Sequence, residues 1–414
     1  MSLSKGPYLT GLSEAGIDVR FELAVVLPAA VDIERDGSDG RKPLTFEDHA
    51  PSAMHVVHAI GLAPATRYAY VVRAGGRVVG QGHFTTAPKP DSAAAVKFLV
   101  YGDNRSDPTA HAAVVRALLG SPSDFLVNTG DMVEDGGRWD DWQSFFDVEA
   151  QLLRDRALFV AIGNHELYDD RAGGNFARYF GFIDADASLQ PRGTVRLGNT
   201  RFFFLNAMRE WGSGDDRQWL ERELARTDSE PGLVWRIAVS HQSPWSSGPH
   251  GGSPVLINAH VPALLAAHGV DLVLSGHDHI YERGDHDRMK YLISGGGGAP
   301  LYRASKIAST RKEESTYHFV EMTTGANAIR LVARRIDGSV LDQCGFKKGE
   351  EWDCDQTGVG PKGGAAADFP PRDAVSNSRC GCTLPGARLA FASGVPLLAA
   401  ALAVAWRRRR RHWV

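Results

Sequence analysis

The sequence predicts an α/β domain preceded by a small all-β domain. Two observations carry this expectation. Residues 6–88 read as short strands broken by turns, at the spacing of a small β-sandwich. From residue 94 onward, apolar runs of strand length alternate with stretches of helical periodicity, and several runs end in a metal-capable side chain.

In the first region Ile17–Val26 alternates in part, His55–Ile60 follows, and Val78–Thr86 closes the unit. Ala87–Ala95 (APKPDSAAA) is a linker, marked by proline and small residues. Val96–Tyr101 then runs into Gly102, Asp103, Asn104 and Arg105. Phe125–Thr129 runs into Gly130 and Asp131, and Leu158–Ile162 into Gly163, Asn164, His165 and Glu166. Ile237–Ser240 ends at His241. Leu272–Leu274 ends at Ser275 and Gly276, followed by His277, Asp278 and His279. Helical patterns cover His111–Leu119, Trp139–Leu153 and Gln218–Arg226, with the aromatic residues of the second taken as core. A lone His-x-His is more often a polar turn than a ligand pair. Five strand ends carrying the same residue types point instead to one site, because open α/β sheets bind ligands at the carboxyl ends of their strands.

Composition narrows the function classes. A chain of 414 residues is long enough for two or three domains. The net charge of −3 gives no global basic field, so nucleic acid is not an expected partner. The four cysteines, Cys344, Cys354, Cys380 and Cys382, all follow the motifs above, which excludes a thiol nucleophile among them. Cys344 and Cys354 flank a short polar loop and are expected to pair in a disulfide, since other features point to export.

GD, GD, GNHE, VSH and GHDH, in this order, resemble the signature set of the calcineurin-like metallophosphoesterases. HDHIYER and YLISGGGGAPLY resemble the purple acid phosphatase branch, and the likeness runs roughly from Ala94 to Gln343. LAPATRYAYVVRA and HFTTAP resemble the fibronectin type III-like domain that precedes the catalytic domain in many such enzymes, here over residues 1–90. The resemblance implies a four-layer α-β-β-α sandwich over residues 94–343, with a dinuclear centre of Fe, Zn or Mn. It implies Asp103, Asp131 and His279 on metal 1, and Asp131, Asn164, His241 and His277 on metal 2, with Asp131 as the bridge. The chemistry is consistent: divalent ions take carboxylates, imidazoles and amide oxygens, and they acidify bound water into a nucleophile. His165 corresponds to the histidine beside the substrate that protonates the leaving oxygen. His250, in SSGPHG, resembles a further substrate-side histidine or is a plain loop residue.

Two positions depart from the family pattern. Arg105 stands where related enzymes often carry a histidine ligand two residues after the first aspartate. Its fork suits a phosphate oxygen or a structural ion pair. Glu134 stands where purple acid phosphatases carry the tyrosine whose phenolate colours Fe(III). A colourless protein is expected, unless Tyr101 or Tyr281 takes the ligand place.

Residues 344–379 read as a Gly/Pro-rich linker, and residues 380–414 as a membrane or sorting tail. The tail has Cys380–Cys382 (CGC), an apolar stretch Leu389–Trp406 and the basic run Arg407–Arg411. It resembles the myxobacterial C-terminal sorting tail, with a plain tail anchor as the alternative. The opening MSLSKGPYLTG holds no apolar core of signal-peptide length, so export is expected to use a leader outside this sequence. The expected function is hydrolysis of phosphate monoesters by a metal-held hydroxide, with membrane association through the tail. The alternatives are a phosphodiesterase on cyclic nucleotides or lipid headgroups, and a surface binding protein with a decayed site.

Overall fold

The computed structural model describes residues 2–37, 42–183, 189–209, 211–212 and 214–354. Five antiparallel strands come first: β1 (Leu3–Thr10), β2 (Gly16–Arg35), β3 (Leu44–Ile60), β4 (Arg67–Ala74) and β5 (Arg77–Thr85). β2 is the organiser, pairing with β1, β3 and β4. Its inward residues Phe21, Val31 and Ile33 pack with Val57, Tyr70 and Val72. Alternation in the sequence ends this strand at Val26, but β2 continues to Arg35. The register of β2 against β3 shifts between Glu22 and Leu27, so Ala24, Val25 and Val26 all face solvent and the two-residue period is lost there.

The catalytic region follows as β6 (Val96–Tyr101), α1 (Pro108–Leu119), β7 (Phe125–Asn128), α2 (Trp139–Leu153), β8 (Ala157–Val160) and α3 (Gly174–Phe180). After a short pair, β9 (Phe182–Ile183) and β10 (Leu189–Gln190), come β11 (Gly193–Leu197), β12 (Thr200–Leu205), α4 (Asp215–Thr227) and β13 (Trp235–Ser240). Then come α5 (Pro254–Asn258), α6 (Val261–Ala267), β14 (Leu272–Ser275), β15 (Tyr281–His286), β16 (Met289–Ser294) and β17 (Thr310–Glu314). β18 (His318–Thr324), β19 (Ala328–Arg335), β20 (Val340–Lys347) and β21 (Asp353–Cys354) complete the set.

Two seven-stranded sheets result, ordered β21-β20-β19-β18-β6-β7-β8 and β11-β12-β13-β14-β16-β15-β17. Each strand sends alternate residues to opposite faces. Phe98, Phe125 and Phe202 meet between the sheets, with ring centroids 5.2–5.6 Å apart. Leu99 and Tyr101 face the other way, onto Val115 and Phe145 of α1 and α2. Phe203 and Leu205 face outward from the second sheet onto Leu220 and Leu265 of α4 and α6. These layers make the four-layer α-β-β-α sandwich. Each buried aromatic contributes roughly 1.5–3 kcal/mol over leaving it exposed.

α1 starts where its sequence chemistry requires. Asp107 accepts from Thr109 N and Ala110 N, and Pro108 occupies the first turn, where its missing N–H costs nothing. The first sheet and the catalytic region form one compact unit. Tyr8 Oη donates to Tyr179 O at 3.1 Å, Arg20 Nη1 to the same oxygen at 3.0 Å, and Tyr70 Oη to Arg154 O at 2.8 Å.

The expected start of a linker at residue 344 is corrected: it falls inside β20. Cys344 pairs with Cys354 in both register and disulfide, and Trp352 packs on Phe346 at 5.0 Å. A few apolar residues in a polar run hold the sheet edge to Cys354. The apolar stretch Leu389–Trp406, Cys380 and Cys382 lie outside the described residues. Among the described residues, no helix is long and apolar enough to cross a membrane.

Candidate metal centre

β6, β7 and β8 run parallel in one sheet, and β12, β13 and β14 run parallel in the other. Their carboxyl ends therefore meet at one edge of the sandwich. The loops there tie to one another: Asp103 N donates to Gly130 O at 2.8 Å and Asn104 N to Asp131 O at 3.0 Å. Asp103, Asp131 and His277 all hold left-handed backbone, with φ of 58°, 54° and 71°. For residues other than glycine this costs about 1–2 kcal/mol each, so packing elsewhere offsets a strained site. Gly130 (φ 103°) is obligatory beside it, since a Cβ there would lie 2.8 Å from His241 Nδ1 and 2.7 Å from Ala161 O.

One cluster is plain. His241 Nε2 lies 3.2 Å from Asp131 Oδ1, and His277 Nδ1 lies 3.2 Å from His241 Nε2. The ligand atoms of Asp131, His241 and His277 all fall within 4.8 Å of one another. His241 Nδ1 donates to Thr129 O at 2.9 Å, which leaves Nε2 to serve as a lone pair. Asn164 Oδ1 is buried and accepts no hydrogen bond among the described residues. A buried acceptor without a donor is costly, and a cation would satisfy it. Carboxylate, two imidazoles and an amide oxygen fit a divalent ion.

These groups pair with one another, so a bound cation would displace the proton that Asp131 holds on His241 Nε2. Burial alone would raise Asp131, but the His241 imidazole outweighs it and holds the carboxyl well below the usual range. Burial depresses His241, yet Asp131 lifts it to about 9. Burial and then His241 press His277 down to about 3.

The other side is built differently. Arg105 Nε donates to Asp131 Oδ2 at 3.3 Å, and its Nη1 donates to Glu134 Oε2 at 3.3 Å. Its Nη2 lies 3.3 Å from His279 Nε2. His279 Nδ1 donates to Pro300 O at 2.6 Å, so Nε2 is the acceptor. Asp103 lies 3.6 Å from His279 Nε2 and takes the backbone N–H of His277. Of the donors expected for metal 1, Asp131 Oδ2 and His279 Nε2 therefore face a guanidinium, whereas Asp103 takes a backbone N–H. Burial opposes the charge of Arg105, but Asp131, Glu134 and Asp103 outweigh burial and hold it protonated. A divalent ion about 4 Å away would meet about 8 kcal/mol of repulsion at an effective dielectric of about 20.

His165 sits at the mouth. Its Nδ1 donates to Glu134 O at 2.6 Å and its Nε2 lies 3.9 Å from Asp131 Oδ2. His250 is exposed, with its ring 4.4 Å from that of His277. Asp278 fixes that loop, accepting from His250 N at 3.1 Å and from Ser246 Oγ. Tyr101 and Tyr281 do not reach the site: their hydroxyls donate to Glu149 at 3.1 Å and Asp342 at 2.7 Å. Tyr302 and Tyr168 do reach it: Tyr302 stacks on His279 at 4.0 Å, and Tyr168 accepts from Asn164 Nδ2 at 3.3 Å. Glu166 went unassigned in the sequence. It accepts from Asp131 N at 3.0 Å, Met132 N at 2.7 Å and Gly163 N at 2.7 Å, joining two ligand loops. Burial, then the nearby Asp131 charge, lifts it to about 7.

Residues 96–281 match the calcineurin-like phosphoesterase family. The chain carries a metallophosphoesterase domain. An uncharacterized protein of Mycobacterium tuberculosis is 27% identical over 273 residues, 55% of this chain and 50% of that protein. Purple acid phosphatase 17 of Arabidopsis thaliana is 25% identical over 256 residues, 55% of this chain and 75% of that enzyme. The chain spans half or less of the length of the first curated relatives it matches. In fold, it is similar to purple acid phosphatase PPD1 of yellow lupin (Lupinus luteus), with TM-score 0.71 and 17% identity over 83% of this chain and 74% of that one. It is also similar to PhoD, with TM-score 0.66 and 13% identity over 83% of this chain and 90% of that one.

Proposed function

We propose that this protein hydrolyses phosphate monoesters at the Asp131–Asn164–His241–His277 cluster. The observation that carries the proposal is the convergence of Asp131, His241 and His277 beside Arg105 and His165, with the buried, unpartnered Asn164 Oδ1 on the loop that hydrogen-bonds Asp131. A divalent ion bound there supplies acidified water as the nucleophile and polarises a phosphoryl oxygen. The Arg105 guanidinium, held by Asp131 and Glu134, places a fixed positive charge beside the equatorial oxygens of the phosphoryl group. His165, its Nδ1–H held by Glu134 O, acts as the imidazolium, and its Nε2 proton passes to the leaving oxygen and leaves the neutral imidazole. The hydroxyl product then leaves neutral.

The intact donor set argues against a decayed binding protein. A phosphomonoester carries more charge than a diester, which the guanidinium favours. The first sheet fits a fibronectin type III-like packing domain. The tail motif and the Cys344–Cys354 disulfide support export and display at the cell surface. The test compares p-nitrophenyl phosphate with bis-p-nitrophenyl phosphate on chelated and metal-reloaded protein. Metal-dependent cleavage of the monoester at the higher kcat/KM is expected. Preference for the bis-ester would establish a phosphodiesterase instead.

A further inference from the structure

We infer that the centre holds one divalent cation rather than two, with the Arg105 guanidinium in the place of the second. The assignment of that guanidinium to a phosphoryl oxygen rests on the proposed hydrolysis, whereas the ion count does not.

A two-ion centre needs two sets of lone pairs. The first is present: Asp131 Oδ1 and His241 Nε2 lie 3.2 Å apart, with His277 Nδ1 3.2 Å from the latter and Asn164 Oδ1 buried without a donor. The second is taken. Each of the three nitrogens of one side chain, Arg105, faces a different acceptor, Asp131 Oδ2, His279 Nε2 and Glu134 Oε2, each at 3.3 Å. The first two are atoms that a second ion would need. The arginine is not free to withdraw cheaply. Its backbone N donates to Asp131 O at 3.4 Å, and its Nη1 also donates to Ser106 Oγ at 3.1 Å.

Charge points the same way. Arg105 is already the cation paired with two carboxylates of this space, Asp131 and Glu134, and a second metal ion beside it would meet that fixed positive charge. The same geometry explains why Glu134 stands where a metal-binding tyrosine is expected: it serves the guanidinium, not an ion.

The experiment counts metal on the full chain. Protein stripped with a chelator is reloaded with excess Mn²⁺, desalted and analysed for manganese per chain. Its electron paramagnetic resonance spectrum is recorded beside the count. About one ion with an isolated six-line Mn²⁺ signal is expected. Arg105→His and Arg105→Ala should each rise to about two ions and show an exchange-coupled spectrum. Two ions on the unaltered chain would overturn the inference, and so would folded Arg105 variants that stay at one. If either variant fails to fold, the count on the unaltered chain decides alone. A count of one without any phosphoester cleavage would overturn the proposed function and leave this inference standing.

Discussion

The His241 side and the His279 side of the site share Asp131, yet they offer opposite chemistry to a ligand. Around His241, donor atoms converge and no N–H group satisfies Asn164 Oδ1 among the described residues. Around His279, comparable donor atoms are met by one guanidinium. Both histidines are fixed in the same way, with Nδ1 donating to a backbone carbonyl and Nε2 facing inward. The difference comes from one residue on the loop after β6. A cation site is thus defined less by its ligand types than by what already occupies their lone pairs.

The largest effect expected from breaking this arrangement comes from the shared residue. Asp131→Ala should abolish metal retention and lower kcat/KM by about 10³-fold or more, since metal activation of water is worth several kcal/mol. Metal analysis beside a phosphatase assay checks both. His165→Ala follows, with a loss of roughly 10²–10⁴-fold in kcat, greater for alkyl than aryl phosphates, and with metal content unchanged. An equal loss on both substrate classes would remove His165 from proton transfer.

The strand ends were legible because each pairs an apolar run with a glycine and a ligand, a local pattern. α1 was legible for its periodicity. α3, α5 and α6 were not, since helices of seven, five and seven residues are too short to display a period. Arg105 was visible as a departure, but its role was not, because Glu134 and His279 lie 29 and 174 residues away along the chain. Glu166 was hidden for a related reason: its partners are backbone N–H groups, which carry no sequence signal.

Smaller effects sharpen the contrast between the sides. Arg105→Lys keeps a positive charge and loses the fork. It should hold the manganese count near one while kcat/KM falls by about 10–100-fold, the worth of charge-assisted hydrogen bonds. His250→Ala, at the exposed rim, should change KM by less than about 10-fold and leave kcat intact. An equal fall in kcat would bring His250 into the chemistry. Removing everything after Gly381 should leave activity unchanged, because the residues of both sides lie before Cys344. Loss of soluble, active protein would show that the tail belongs to the fold.

The central claim is that a cation takes one side and Arg105 the other. Its most direct test is a crystal structure of the manganese-loaded protein with phosphate, read by anomalous scattering. The account predicts one anomalous peak among Asp131, Asn164, His241 and His277, with phosphate oxygens between that peak and the Arg105 fork. A second peak bound by Asp103, Asp131 and His279, with Arg105 swung out, would contradict it.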